Sequence, residues 1–284
     1  MPAKEPPAER VRARLRAVAG AELAAAMPRG YQRLGRVLLL RLPAELTPYG
    51  PLLGEAWRAE LGVETVLAHR GPIAGELREP SLALLAGSGT ETEVTEHGTR
   101  WRLDAARVMF AAGNRVERLR FARLVRTGER VADLFAGIGY FTIPAARARP
   151  DARFVAVEKN PVAFGYLEQN LRRNGVADRV RPILGDNRTA PLETGAFDRV
   201  LLGYLPSSLP WVARGVSLLT GRGGWLHVHL TADARGASRV AAEAVARTVA
   251  AGGGTLSGEP QAREVKPYGP GRTHVVVDAP VRPV

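Results

Sequence analysis

The sequence predicts an α/β protein: a mostly parallel sheet covered by helices on both faces, closed by an antiparallel hairpin and preceded by a smaller α+β domain. Three observations predict it. From Val131 onward, short apolar stretches alternate with amphipathic helical ones. Near the C-terminus two strand-like stretches flank the turn Pro267-Tyr-Gly-Pro-Gly271. The first hundred residues lack that alternation and open on an Arg-rich helical stretch.

In order, the leading part reads as a helix over Arg10 to Ala26, a strand at Arg36 to Arg41, a helix at Pro51 to Leu61 and a strand at Thr65 to Ala68. The Gly-, Thr- and Glu-rich segment Gly87 to Gly98 reads as a hairpin or connector, and a boundary placed near it sets domains of 1–95 and 96–284. Strands then follow at Val131 to Leu134, Arg153 to Val157, Val180 to Leu184, Arg199 to Leu202 and Trp225 to Leu230. Helices at Phe141 to Arg147, Pro161 to Arg173, Leu209 to Leu219 and Ser238 to Ala250 alternate with them, the second with proline in its first turn. Ala262 to Lys266 and His274 to Asp278 complete a seven-stranded sheet as its hairpin.

The chain has 284 residues, no cysteine and a net charge of +12. Without cysteine, disulfides, thiolate metal sites, iron–sulfur clusters and cysteine nucleophiles are excluded. All 40 basic residues except Lys4, Lys159 and Lys266 are arginine. An excess of this sign favours polyanions, making nucleic acid the leading partner class. No apolar stretch approaches the roughly 18 to 20 residues of a membrane span. Met1 to Arg10 has no apolar core for a signal peptide, so the expected address is cytoplasmic.

The chemistry-bearing residues lie at expected strand ends. Asp133-Leu-Phe135-Ala136-Gly137-Ile-Gly139 joins the first strand of the alternating region to its helix, where a doubly wound sheet places its ligand. Glu158 ends the next strand and Gly185-Asp186-Asn187 follows the third. A carboxylate at the second strand end suits two ribose hydroxyls, and an Asp at the third suits an adenine amino group. The turn lacks the third glycine of a dinucleotide fingerprint, which disfavours an oxidoreductase.

Pro28 to Arg41, Gly71 to Pro80, Arg107-Val-Met-Phe110, Gly113-Asn-Arg-Val-Glu-Arg118 and Asp133 to Pro144 resemble the tRNA guanine-N1 methyltransferase and wybutosine-synthesis family. The resemblance implies a class I methyltransferase (Rossmann-like) fold, S-adenosylmethionine as cofactor, and action on the guanosine immediately 3′ of the anticodon in tRNA. It implies cofactor contacts from Phe110, Asp133, Phe135, Ala136, Gly137, Gly139, Glu158, Lys159, Asp186, Asn187 and Gly203, and catalytic roles for Glu117, Arg118 and Tyr204. Glu117 is the expected acceptor of the substrate's proton. Domain 1–95, with Arg33, Arg36, Arg115 and Arg118, is expected to hold RNA.

One branch of the family moves methyl, the other the 3-amino-3-carboxypropyl group. Leu202-Gly-Tyr-Leu-Pro-Ser-Ser208 resembles the second branch, as does Gly113, where the methyltransferases carry an arginine that holds the methionine tail. The expectation is therefore aminocarboxypropyl transfer to a modified guanosine in tRNA. Guanine-N1 methylation and transfer to a small-molecule acceptor are the alternatives, and a relict RNA-binding module is the non-enzymatic one. His227 and His229 share one strand face, but the residues after them lack the expected Glu, so no metal site is expected. A monomer is expected.

Overall fold

A computed structural model describes residues 5–71 and 75–284. Lys4 and residues 72–74 of the Gly71 to Pro80 stretch lie outside them. Contacts divide the chain into two compact units, residues 1–110 and 111–284, where the sequence suggests a boundary at 95.

In the first unit, α1 (Pro7–Ala19) and α2 (Ala21–Ala25) replace the single expected helix, because Gly20 between them takes φ +87°. β1 (Tyr31–Leu34) and β2 (Val37–Leu40) form an antiparallel pair, then α3 (Gly50–Leu61) leads to β3 (Thr65–His69), parallel to β2, and to β4 (Leu82–Gly87). Val11, Leu15, Leu38, Leu40, Leu53, Trp57 and Val66 form its core. The hairpin of β5 (Glu91–Glu96) and β6 (Thr99–Asp104) belongs to this unit. Thr92 Oγ1 donates to Leu34 O (2.8 Å) and accepts from Arg36 N (3.1 Å), which ties the hairpin to the β1–β2 turn.

In the second unit, α4 (Arg115–Leu124) precedes the alternation β7 (Arg130–Asp133), α5 (Thr142–Ala148), β8 (Arg153–Glu158), α6 (Pro161–Arg173), β9 (Val180–Leu184) and β10 (Arg199–Leu202). It continues through α7 (Val212–Leu218), β11 (Gly224–Asp233), α8 (Ala237–Ala251), β12 (Gly254–Leu256), β13 (Gln261–Gly269) and β14 (Arg272–Pro283). The sheet runs β12-β14-β11-β10-β7-β8-β9, with β13 also beside β14. It has eight strands where seven are expected, the addition being the three-residue β12. β11, β10, β7, β8 and β9 are parallel, and β14 is antiparallel to β11. Strand order reverses between β7 and β10, so the crevice for a ligand opens at their C-terminal ends. The core under it includes Ala132, Leu134, Val200, Leu202, Val228 and Val277. No helix among the described residues is long and apolar enough to cross a membrane.

Candidate active site

The β7–α5 turn builds the floor of the crevice. Asp133 is 1% exposed, and its oxygens accept from Thr142 Oγ1 (2.8 Å) and Phe135 N (3.1 Å). Burial raises its pKa to about 6 against those two hydrogen bonds, with the nearby Glu158 charge adding to the rise. Expected to touch the cofactor, Asp133 also shapes the turn through both oxygens. Gly137 and Gly139 take φ +57° and +98°. A Cβ at Gly137 would lie 2.4 Å from the Tyr140 ring, and one at Gly139 2.4 Å from Ile143 Cδ1. Both glycines thus let the turn fold tightly against its own helix.

Glu158 closes the other side. Its Oε2 accepts from Gly137 N (2.7 Å) and its Oε1 from Asn160 N (2.7 Å). The Lys159 backbone is a third donor to this carboxylate, whose remaining lone pair can still accept from a sugar hydroxyl. Burial raises its pKa, opposed by the backbone donors. Asn160 caps α6, its Oδ1 accepting from Val162 N (2.8 Å) and Ala163 N (3.3 Å). Glu158 and the glycine turn therefore lie together as expected, joined by a direct hydrogen bond.

After β9, Asp186 accepts from Lys159 Nζ (2.9 Å) and from Arg188 N (2.8 Å). The Lys159 ammonium chiefly holds its pKa below the ordinary value. Lys159 is thus engaged with a carboxylate. Asn187 donates from Nδ2 to Leu134 O (3.1 Å), binding this loop to the end of β7.

The β10 end supplies an aromatic surface. Phe135, Tyr204 and Trp211 pack with centroid separations of 5.1 to 5.3 Å, and the Arg188 guanidinium lies 4.9 Å from the Trp211 ring. Trp211 and Arg188 carried no sequence signal beyond an aromatic in a helix and one arginine among many. Ser208, fully buried, organises the loop by accepting from Tyr204 N (2.9 Å). A Cβ at Gly203 would meet only Phe135 Cβ, at 4.0 Å, so the strand end is open beside it. Ala136 is buried and donates from its backbone to Val157 O (2.9 Å).

The catalytic candidates sit differently from expectation. Glu117, expected to take a proton, is 1% exposed, and both its oxygens accept from Arg120, at 2.7 to 3.1 Å. It faces inward because α4 packs that side against the sheet, where Arg120 also binds Asp278. Arg118 is 3% exposed and donates to Ala111 O (3.0 Å), and its charge acts on both Tyr140 and Lys266. Burial at that depth disqualifies it as a surface RNA contact. Arg36 is paired with Glu64 (2.9 Å) and Arg33 donates to Gly35 O (2.9 Å). Phe110 belongs to the first unit, packed edge-on against Trp101 with centroids 5.6 Å apart. The space over Gly113 is filled: a Cβ there would lie 3.0 Å from Lys266 Cδ and 3.1 Å from its Nζ.

His227 and His229 do share one face of β11, and both are engaged. His227 lies between Asp278 and Arg199, while His229 Nδ1 is 3.0 Å from His274 Nε2. Among the described residues no three metal-ligating side chains cluster.

Residues 92–251 match the TRM5/TYW2 methyltransferase domain, and residues 11–90 match the TYW2 N-terminal domain. The chain belongs to the TRM5/TYW2 family. Its class I methyltransferase fold is shared with crystal structures of two TYW2 proteins. That of Pyrococcus horikoshii with MeSAdo is 34% identical at TM-score 0.84, covering 97% of this chain and 99% of that one. That of Methanocaldococcus jannaschii with AdoMet is 30% identical at TM-score 0.72, covering 90% and 100%. The chain is also similar to a Pyrococcus horikoshii protein described as tRNA(Phe) (4-demethylwyosine(37)-C(7)) aminocarboxypropyltransferase, 37% identical over 90% of this chain and 91% of that one.

Proposed function

We propose that this chain transfers the 3-amino-3-carboxypropyl group of S-adenosylmethionine to a modified guanosine 3′ of the anticodon in tRNA, in a wybutosine-type pathway. The observation that carries the reading is that the likeness to a tRNA(Phe) aminocarboxypropyltransferase runs through both units of the chain, the crevice included. The protein is an S-adenosylmethionine-dependent transferase. RNA binding, with domain 1–95 contributing, a cytoplasmic address and a monomeric state form part of the same reading.

The crevice fits the cofactor. Glu158 keeps a lone pair for a ribose hydroxyl, Asp186 lies at the third strand end for the adenine side, and the opening beside Gly203 admits a ligand between β7 and β10. Phe110, Ala136, Gly137, Gly139, Lys159 and Asn187 complete the proposed cofactor set, and Asp133 supports it by fixing the turn. Bound there, the cofactor supplies a sulfonium with three electrophilic carbons, of which the γ-carbon of the tail is transferred.

The protein selects among those carbons by position, since holding reactants in line is worth several kcal/mol, about 7 to 11 in the best intramolecular cases. The faces of Phe135, Tyr204 and Trp211 give a flat acceptor base a surface to stack on and keep water off it. Tyr204 is the member on the β10 loop closest in sequence to Gly203 and serves as the positioning group. Glu117 acts through Arg120, which it holds against Asp278. Incubating the protein with cofactor and tRNA, then weighing the digested nucleosides, tests the reading: about 101 Da is added by aminocarboxypropyl transfer and about 14 Da by methylation. A methylated product, or a product only on a small molecule, would overturn it.

A further inference from the structure

The sheet is covered unevenly. On the face that carries Val155 and Ile183, α7 packs over β10 and β11, and α8 over β11 and β14. The connection from β9 to β10, residues 185–198, contains no helix and so supplies none for the same face at β8 and β9. Val155 and Ile183 are accordingly only partly buried. A groove of about 710 Å³ opens there, at the N-terminal ends of β7, β8 and β9. Arg130 stands opposite Arg153, and Arg181 opposite Val155, so all three arginines share the face of Val155. Arg179, two positions before Arg181, joins them.

These four arginines line the groove together with two carboxylates, Asp178 and Glu193. Glu193 takes Arg130 (3.1 Å) and Asp178 takes Arg179 (3.2 Å), but both carboxylates are largely exposed, so the pairs are weak. Among the described residues neither Arg153 nor Arg181 pairs with a carboxylate. Arg153 instead donates to the carbonyls of Pro150 (3.4 Å) and Ala152 (3.3 Å). Like charges directly opposite on strands about 4.8 Å apart repel. The Arg130–Arg153 pair therefore costs stability in the free protein and becomes favourable once an anion lies against both.

We propose that this groove binds phosphates of the RNA substrate, a second RNA contact at the end of the strands opposite the crevice. This rests on the tRNA reading above. Guanidinium forks match phosphate oxygens two at a time, and an RNA backbone repeats that anion along its length. The aromatic rings of the groove are not open to stacked bases: Phe154 is buried, and the Arg130 guanidinium covers Phe197 at 5.5 Å from its centroid. The groove therefore holds backbone without reading sequence. Arg153 and Glu158 stand at the two ends of β8, about 17 Å apart at about 3.3 Å per residue, a span of a few nucleotides. β9 is the edge of the sheet, so an RNA strand leaving the crevice can follow that edge to the groove.

The test reads tRNA affinity against salt. Full-length protein and a variant carrying Arg153→Gln with Arg181→Gln are titrated with tRNA from about 50 to 200 mM salt. The variant should bind about tenfold more weakly at physiological salt, and its slope of log affinity against log salt should be shallower by about 1.5, for two lost phosphate contacts at about 0.7 to 0.9 each. Its S-adenosylmethionine affinity by calorimetry should stay within about twofold of wild type, because the groove and the crevice lie at opposite strand ends. Arg153→Lys with Arg181→Lys keeps both charges and should restore the slope. Unchanged tRNA affinity and slope in the glutamine variant would overturn the proposal while leaving the transferase reading intact. Equal weakening of tRNA and cofactor binding would also overturn it, by placing the effect in the fold. Wild-type protein that binds S-adenosylmethionine but no tRNA would remove the RNA reading itself, and the role of the groove with it.

Discussion

His227 Nδ1 lies 2.5 Å from Asp278 Oδ1, across directly opposed positions of β11 and β14. On the far side of the ring, Arg199 Nη1 is 2.6 Å from Nε2. A guanidinium can only donate, so Nε2 accepts, the ring proton sits on Nδ1 and points at Asp278, and His227 is neutral. Burial lowers its pKa, more than Asp278 can raise it. Asp278 also accepts from Arg120, which holds Glu117, and Arg199 pairs with Glu129 through 2.8 and 2.9 Å bonds. One buried chain of polar groups thus runs from α4 through three strands.

Removing its central carboxylate should be costly. Asp278→Ala leaves the buried His227 Nδ1–H without its acceptor and Arg120 with Glu117 alone, and the expected loss is about 3 kcal/mol of folding stability. Urea unfolding of wild type and variant measures it. A loss below about 1 kcal/mol would show that the chain of groups relaxes without its centre.

The paired histidines predict a pH dependence. Burial, then the Lys266 charge, lowers the pKa of His274 from 6.5 to about 4, and burial lowers His229 as well. Between these limits the unfolded chain binds protons that the folded chain refuses. Stability is therefore full above about pH 6.5 and falls as pH drops toward 4. Asp133, raised to about 6, works oppositely over much of that window, but equally in wild type and variant. His274→Gln should therefore flatten the fall by about 2 to 4 kcal/mol, from the linkage of proton binding to folding. Parallel stability curves from pH 4.5 to 7 would contradict it.

Elements with local signals were legible. α6 spans Pro161–Arg173 as the sequence suggests, because Asn160 caps it, proline opens it and arginines close it. β9 and β10 also match, being short apolar runs between turns. β1, β4 and β12 were not legible: their exposed or mixed faces give no clean period. In the crevice, Glu158 and the glycine turn follow from strand-end placement and the Glu117–Arg120 pair from helical spacing, whereas the tie from Arg120 to Asp278 does not. Arg120 and Asp278 are 158 positions apart, and the shift in β13–β14 pairing that sets Lys266 opposite His274 depends on a single extra residue. Pairings across such separations leave no trace in local pattern.

Glu158 offers a direct check on the nucleoside site. Glu158→Ala removes the proposed ribose contact and should weaken cofactor binding by about 1.5 to 3 kcal/mol. Because Glu158 also accepts from Gly137 and Asn160, thermal unfolding should be measured alongside calorimetry. Unchanged affinity in a folded variant would take the ribose away from Glu158.

Gly113→Arg brings the positioning argument to its sharpest form. The backbone at 113 sits in a 3-10 turn that side chains tolerate, so the variant should fold. Its side chain must enter the space that Lys266 fills, since the first added carbon already approaches Lys266 to 3.0 Å. The far end of a lysine can swing aside, and it also retreats from a second cation. The variant would then present a cation from the turn at 113, drawing the tail carboxylate toward it and turning the γ-carbon away from the acceptor. Methylthioadenosine, the by-product of aminocarboxypropyl transfer, should accordingly form at least tenfold more slowly than in wild type, because misplacement of about 1 Å can cost a hundredfold. S-adenosylhomocysteine should not replace it, because the β10 loop, built on Ser208, is untouched. Chromatography of the adenosine products after incubation with tRNA separates the two. Wild-type rates of methylthioadenosine release from the variant would show that the group over residue 113 does not set the direction of transfer.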